Sequence, residues 1–366
     1  MYQIGILSWV CPMFFKMKSI KINQTEVGPG HPTYIIAEIS CNHGGDFEIA
    51  CQTVKAIAQS GANAVKLQTA RPDFLTLDSD QKEFVIKGGT LWDGRTLFDL
   101  YCETQTPWDW HKPLQELTHS LGLDFFSSPF DLGAVDFLAK LDVPAYKIAS
   151  FEAVDPYLIE AVASHGKPVI ISTGIASESD VERALAACKN MGNDQVVLLK
   201  CTSAYPAPLE AANVLQIPAL SRRFNCIVGL SDHSKGEMVA LGSVAQGACI
   251  IEKHFILDRV MGGPDAEFSM NPEEFTKMIK TVRDMEKVLG DETLNLNSES
   301  SIKSRQFARS LFAIKDIAKG CAFTHQNVRS IRPGYGLPPK EMGRILGHPA
   351  KVKITRGTPL SWDMVK

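Results

Sequence analysis

Eight short apolar runs recur along this chain, separated by stretches with helical spacing, and no other feature restricts its architecture as strongly. The runs are YIIAEIS (34–40), AVKLQT (64–69), LDFFSS (123–128), AYKIAS (145–150), PVIIST (168–173), VVLLKCT (196–202), CIVGLSD (226–232) and ACIIEKHF (248–255). Near-continuous Val, Ile and Leu mark parallel strands covered on both faces. Between them lie the amphipathic stretches Phe47–Ser60, Ala134–Leu141, Tyr157–Ser164, Ser179–Met191 and Glu237–Gln246. Gly61, Gly122, Gly166, Gly192 and Gly247 follow helical stretches, at positions where helix ends favour glycine. The expected fold class is therefore α/β, a (β/α)8 TIM barrel over residues 18–290. An open doubly wound sheet is the competitor, but no G-x-G-x-x-G follows the first run.

Polar residues gather at the C-terminal end of every run. They are Glu38, then Lys66 and Gln68, then Ser127 and Ser128, then Lys147, Ser150 and Glu152. Ser172 and Thr173, Thr202 and Ser203, Ser231-Asp232-His233 and Glu252-Lys253-His254 continue the series. A strand running into a polar loop explains any one cluster. Eight of them converge on one face of a barrel, where barrel enzymes place their chemistry.

A net charge of −3 rules out a global field for nucleic acid or an acidic membrane surface, so any anion must meet a local cation cluster. Nine cysteines without a Cys-x-x-Cys fit reduced thiols in a cytoplasm better than a disulfide framework. The apolar opening MYQIGILSWVCPMFFKMK lacks a basic leader and is, at about a dozen apolar residues, too short to span a bilayer. Residues 1–17 are taken as an N-terminal extension, with Met17 a natural alternative start.

Two further segments stand out. About Arg71 to Leu121 is an insertion between the second and third runs, long enough to be a lid or binding wall. Within it TPWDWH suggests a helix start, with Thr106 as cap and Pro107 in the first turn. DETLNLNSESSIKSR (291–305) is polar and aperiodic, hence a linker, and 306–366 forms a small β-rich module. There IAKGCAFTHQNV (317–328) resembles ITRGTPLSWDMV (354–365), and the intervening IRPGYGLPPKEM carries Arg332 on a turn-rich loop.

Chemically, Lys66 and Lys147 are cations inside apolar strands, which need a counter-charge or a ligand. They suit either a Schiff-base nucleophile or a multiply charged anion, and the neighbouring hydroxyls and Arg332 favour phosphate or carboxylate. His233 and His254 suit a catalytic divalent ion with open positions rather than a closed structural zinc site. Glu38, Glu152, Asp232 and Asp265 are the carboxylates available for orientation or proton transfer. His43 and Asn42, just after the first run, are either additional contacts or loop caps.

IAEISCNHGG, AVKLQT, FSSPFD, AYKIAS, PVIISTG, CTSAYPAP, GLSDHS and IEKHF, in that order, resemble the sialic acid synthase family, and FARSLFAIKDIAKG…RPGYGL resembles its C-terminal antifreeze-like (SAF, β-clip) domain. The resemblance spans roughly residues 18–366. It implies condensation of phosphoenolpyruvate with an open-chain N-acyl amino sugar, assisted by a divalent metal: Mn2+ first, with Mg2+ or Co2+ as alternatives. It further implies His233 and His254 as metal ligands, and Lys66, Lys147, Ser150, Ser172, Tyr205 and Ser231 around phosphoenolpyruvate. Glu38, Gln68, Glu152 and Asp265 would lie near the reacting sugar, with Ser128 and Ser203 among the binding residues. Arg332 would act in a partner's barrel, making a domain-swapped homodimer. Phe151 stands where N-acetylmannosamine-using members carry Gly, Ser128 where they carry Thr, and Lys200 where they carry His. These departures resemble the branch that takes a 2,4-diacetamido-2,4,6-trideoxy-altrose, with Phe151 as an apolar wall at the sugar. The alternatives are a sialic or legionaminic acid synthase, a Schiff-base barrel aldolase, and a binding or ice-interacting module built on the tail.

Overall fold

The computed structural model describes residues 19–89, 92–290, 293–294 and 298–366. The proposed extension 1–17 lies outside them. The eight runs form eight parallel strands: Tyr34–Glu38, Ala64–Thr69, Asp124–Pro129, Tyr146–Ile148, Val169–Ser172, Val196–Cys201, Ile227–Asp232 and Ile250–His254. The eighth pairs back onto the first, Ile250 opposite Tyr34 through His254 opposite Glu38, which closes the barrel. Every residue of these strands except the half-buried Gln68 is buried. That is why the runs show no apolar–polar alternation, with one face filling the barrel and the other packing on helices.

A helix follows each strand: Phe47–Ser60, Trp108–Ser120, Leu132–Lys140, Pro156–Ala163, Glu178–Asn190, Gln216–Phe224, Met238–Ala245 and Pro272–Leu289. Local chemistry sets many of their starts. Asp46 accepts from the amides of Glu48 and Ile49, and Ser177 and Asn271 form reciprocal capping boxes with Asp180 and Glu274. The helix expected to start at Thr106 begins instead at Trp108 behind Pro107. Thr106 is buried, its hydroxyl 3.1 Å from His43 Nε2, and so is not free to cap.

A hairpin, Ile20–Ile22 with Thr25–Val27, adds Ile20, Ile22 and Val27 to the barrel core. Asn23 Nδ2 donates to Asp124 Oδ1 and Tyr34 Oη donates to Asp124 Oδ2, both at strand beginnings. The hairpin therefore lies at the N-terminal end and leaves the opposite mouth open. Toward that mouth, the insertion contributes a turn of helix at Pro72–Leu75 and the helix Leu97–Thr104.

A second compact unit follows Gly290. Strands Ser310–Ala313 and Val328–Ile331 pair antiparallel over a core of its own that includes Leu311, Phe323, Ile345 and Leu360. The two halves of the sequence repeat meet at equivalent positions. Ile317 and Ile354 exchange both backbone hydrogen bonds, at 2.8 and 2.9 Å. The segment 291–305, expected as an aperiodic linker, carries the helix Glu299–Ser304, capped by Ser298, with all its residues exposed. An exposed helix needs no apolar stripe, so the sequence showed none.

Candidate active site

A cavity of about 400 Å3 opens at the C-terminal ends of the strands. Side chains alternate along a strand, so Lys66 and Gln68, and likewise Glu252 and His254, project to the same side. All four line the cavity.

Its floor is an ionic cluster. Lys66 Nζ pairs with Glu38, lies 3.8 Å from Glu252 Oε1 and donates to Ser128 Oγ at 3.2 Å. Lys147 Nζ also lies 3.8 Å from Glu252 Oε1 and donates to the Ile148 carbonyl. Burial opposes protonation of Lys66, but Glu252 and Glu38 outweigh it and hold its pKa above the ordinary lysine value. Burial prevails at Lys147, whose pKa falls below that value even beside Glu252. Burial likewise works against ionised Glu252, yet Lys147 and Lys66 together hold its carboxyl below the usual range. Two lysines thus share one central carboxylate, and since Lys66 also has Glu38, Lys147 is the less compensated cation of the two.

Hydroxyls ring this cluster. Ser150 Oγ sits 2.8 Å from Ser203 Oγ and accepts from the Ile175 amide, while Ser231 Oγ donates to Glu252. Ser172 Oγ is buried without a partner. Gly174 makes the arrangement possible: a Cβ there would lie 2.2 Å from Ser203 Oγ and 2.5 Å from Ser150 Oγ. Ser128, Ser150, Ser172 and Ser231 line the cavity, whereas Ser203 stands behind Ser150.

The expected metal pair stands on the adjoining wall. The rings of His233 and His254 are 5.3 Å apart and both pack edge-on against Phe268, while Tyr205 lies 4.5 Å from His233. His233 Nδ1 is 3.1 Å from the Thr202 carbonyl. A carbonyl only accepts, so Nδ1 carries the proton and Nε2 keeps its lone pair, the arrangement of a metal-ligating histidine. His254 Nδ1 lies 3.4 Å from Asp265 Oδ2 and is buried without a hydrogen-bond partner. Among the described residues no three His, Cys, Asp or Glu side chains form a ready-made metal site. Two imidazoles with open positions are the donor set that fits a catalytic divalent ion.

The two glutamates expected at the reacting sugar differ. Glu38 lies beneath the cavity, one oxygen toward Lys66 and the other accepting from the Ser40 amide. Glu152 lines the cavity from the 3-10 turn Ser150–Val154, with Oε2 buried and unpartnered. Burial pushes its carboxyl up to about 7. A group that titrates near neutrality and faces the cavity can both take and return a proton.

The alternation of side chains and the packing of the loops set the places of the other residues singled out from the sequence. Asp232 turns away from the cavity, pairs with Lys253 Nζ at 2.7 Å and accepts from Ser234. His43 is packed in the loop, accepting from the Gly45 amide, and burial draws its pKa down to about 4. Asn42 donates to the Phe255 carbonyl and to Ser269, a loop-fixing role. Lys200 donates to the Cys201 carbonyl and Thr202 Oγ1 and does not line the cavity. Phe151 lines the cavity at its rim and is 55% exposed in the single chain. Arg332 is exposed on the second unit, next to the strand Val328–Ile331.

Two features escaped the sequence reading. Glu252 was visible as part of Glu-Lys-His but was not singled out, although its parity with His254 marked it as inward. The insertion residues Ile86, Leu97 and Tyr101 also line the cavity, and no periodic pattern announced them.

Comparison with known proteins follows the same lines. The NeuB family profile matches residues 53–293, and the SAF domain profile matches 308–366. A pseudaminic acid synthase of Campylobacter jejuni is 46% identical over 89% of this chain and 95% of its own. The pseudaminic acid synthase of Helicobacter pylori is 44% identical over 92% of this chain and 98% of its own. Among solved structures, an N-acetylneuraminic acid synthetase from Leptospira borgpetersenii superposes with a TM-score of 0.71 at 32% identity, covering 79% of this chain and 95% of that one.

Proposed function

The chain belongs to the NeuB family, and from that membership we propose that it condenses phosphoenolpyruvate with 2,4-diacetamido-2,4,6-trideoxy-L-altrose and water to give pseudaminic acid and phosphate. The observation that carries the choice of sugar is the higher identity to pseudaminic acid synthases than to the N-acetylneuraminic acid synthetase.

In this reaction C3 of phosphoenolpyruvate bonds to the sugar aldehyde carbon, water adds at C2, and the C–O bond to phosphate breaks. Lys66 and Lys147 meet the two anionic groups of phosphoenolpyruvate, with Ser150, Ser172 and Ser231 supplying hydroxyl donors around them. Binding an anion beside Lys147 raises that lysine's pKa back toward its ordinary value. His233 and His254 would hold the divalent ion, Mn2+ in first place, with Asp265 beside His254. Such an ion supplies Lewis-acid polarisation of a carbonyl oxygen. Glu152 takes the proton from the water that adds at C2, because it faces the cavity and is about half ionised near neutrality. Glu38 keeps Lys66 charged and positioned. Gln68, whose Nε2 donates to Ser40 Oγ, presents its remaining polar atoms toward the sugar. On the same reading Arg332 serves the barrel of a second copy, in a domain-swapped homodimer. A cytoplasmic setting suits the eight described cysteines, none of them in a disulfide.

Phosphate release from phosphoenolpyruvate across a panel of amino sugars tests the proposal. Preference for the diacetamido-trideoxy-altrose, abolished by a chelator and restored by Mn2+, is the expected result. Clear preference for N-acetylmannosamine or the legionaminic acid precursor overturns it. Borohydride trapping of a lysine with a keto substrate would point instead to a Schiff-base aldolase.

A further inference from the structure

The cavity is built from two kinds of wall. The strand ends supply the lysines, the imidazoles, the carboxylates and the hydroxyls. The inserted segment supplies Leu75, Ile86, Trp92, Leu97, Leu100 and Tyr101. Among its described residues it adds no cation or carboxylate to the cavity lining. Beside the Tyr101 hydroxyl and the Trp92 indole N–H it adds Thr104 and Gln105, both turned onto the segment's own backbone: Thr104 Oγ1 donates to the Leu100 carbonyl and Gln105 Nε2 to the Cys102 carbonyl.

This wall has a defined local frame. Ile86 N donates to the Arg95 carbonyl and Gly94 N to the Ile86 carbonyl, both at 2.9 Å, and Leu97 N donates to the Phe84 carbonyl at 2.8 Å. Val85 and Thr96 form an antiparallel bridge between them. Gly94 takes φ +87°, a turn conformation that a side chain would strain. Thr96 then caps the helix Leu97–Thr104 through the Asp99 amide. This antiparallel pairing sets Ile86 opposite Arg95 and Leu97 opposite Phe84, and both Ile86 and Leu97 line the cavity.

Phosphoenolpyruvate offers such a wall almost nothing, since its carboxylate and phosphate call for the strand ends. The second substrate must therefore bring the apolar surface. This step rests on the reading given above, in which that substrate carries a C6 methyl and two acetamido methyls. An N-acetylhexosamine places hydroxyls at C4 and C6 instead. We infer that the inserted wall, centred on Ile86 and Leu97, is the specificity-determining element for the sugar, receiving its methyl groups and disfavouring a hydroxyl at C6. Selectivity thereby moves from Phe151, which stands open at the rim, to residues more than fifty positions earlier in the chain.

The test uses the full-length enzyme and the variants Ile86→Asn and Leu97→Asn, with Ile86→Val and Leu97→Met as conservative controls. Ile86 and Leu97 are only partly buried, so the substitutions open no core void. A thermal melt identifies any variant that fails to fold, and Ile86→Thr then replaces it. The expected result is a rise of about tenfold in KM for the diacetamido sugar, with KM for phosphoenolpyruvate within about twofold of wild type. The controls should stay within about threefold of wild type. Preference for the 6-deoxy sugar over its 6-hydroxy analogue, about a hundredfold for an apolar site, should fall about tenfold in the Asn variants. An unchanged sugar KM, a parallel rise in both KM values, or a wild-type enzyme indifferent to the 6-hydroxyl overturns the inference. Wild-type enzyme that fails to turn over the diacetamido sugar overturns the proposed function instead, before any variant is made.

Discussion

Replacing Glu152 by Gln should make the protein more stable and nearly inactive, with both effects dependent on pH. Burial moves this carboxyl from an ordinary 4.5 to about 7 in the folded protein. Between those values the native state holds a proton that the unfolded chain has lost, so stability falls as pH rises through the window. The full displacement is worth ~3 kcal/mol, absent below about pH 4.5 and fully expressed above about pH 7. Glutamine keeps the shape without the charge. The substrate-free variant should therefore melt close to wild type at pH 5 and ~5 °C above it at pH 8, given the entropy of unfolding a barrel of this size. Activity should move the other way. Loss of the proton acceptor is expected to lower kcat by ~100-fold or more and to remove a limb with apparent pKa near 7 from the wild-type pH profile of kcat/KM. Melts at the two pH values and phosphate-release profiles from pH 5.5 to 9 read both effects. Equal melting differences at pH 5 and pH 8, or a variant that keeps more than a tenth of wild-type kcat with the limb intact, would refute the assignment.

Three other outcomes follow from the same geometry. Gly174→Ala should drive apart the Ser150 and Ser203 hydroxyls, which a Cβ would approach to 2.5 and 2.2 Å, and raise KM for phosphoenolpyruvate by about tenfold or more in a steady-state assay. Glu252→Gln removes the carboxylate shared by Lys66 and Lys147, a buried pairing whose loss typically costs about 3–5 kcal/mol. Because a free anion can partly replace that carboxylate, inorganic phosphate should raise the variant's melting temperature by more than it raises wild type's. For the double variant His233→Ala/His254→Ala, calorimetric titration should show the loss of Mn2+ binding seen with wild type, while its far-UV circular dichroism stays unchanged.

Much of this protein was legible in its sequence because a buried parallel strand has a local signature. Runs such as VVLLKC and YIIAE announce themselves within six residues, and caps such as Asp46 and Asn271 act on amides two or three positions away. The polar strand ends were equally local, so Lys66, Lys147, His233 and His254 could be placed at one mouth once the strand count reached eight.

What remained hidden was set by contacts between distant segments. Whether Asp232 or Ser231 faces the cavity depends on the register of one strand against its neighbours, and that register places Asp232 against Lys253. Glu38 and Glu152 look alike in sequence; one is bound to Lys66 from the adjacent strand, while the other keeps a buried oxygen unpartnered. The apolar insertion wall has no period to detect, since Ile86 and Leu97 reach the same cavity only through a chain reversal. The chain's local patterns specified a barrel and the chemistry at its mouth. Its tertiary packing decided which carboxylate keeps an unpartnered oxygen and which apolar surface lines the cavity, because charge pairing and burial arise only where strands and loops far apart in sequence come together.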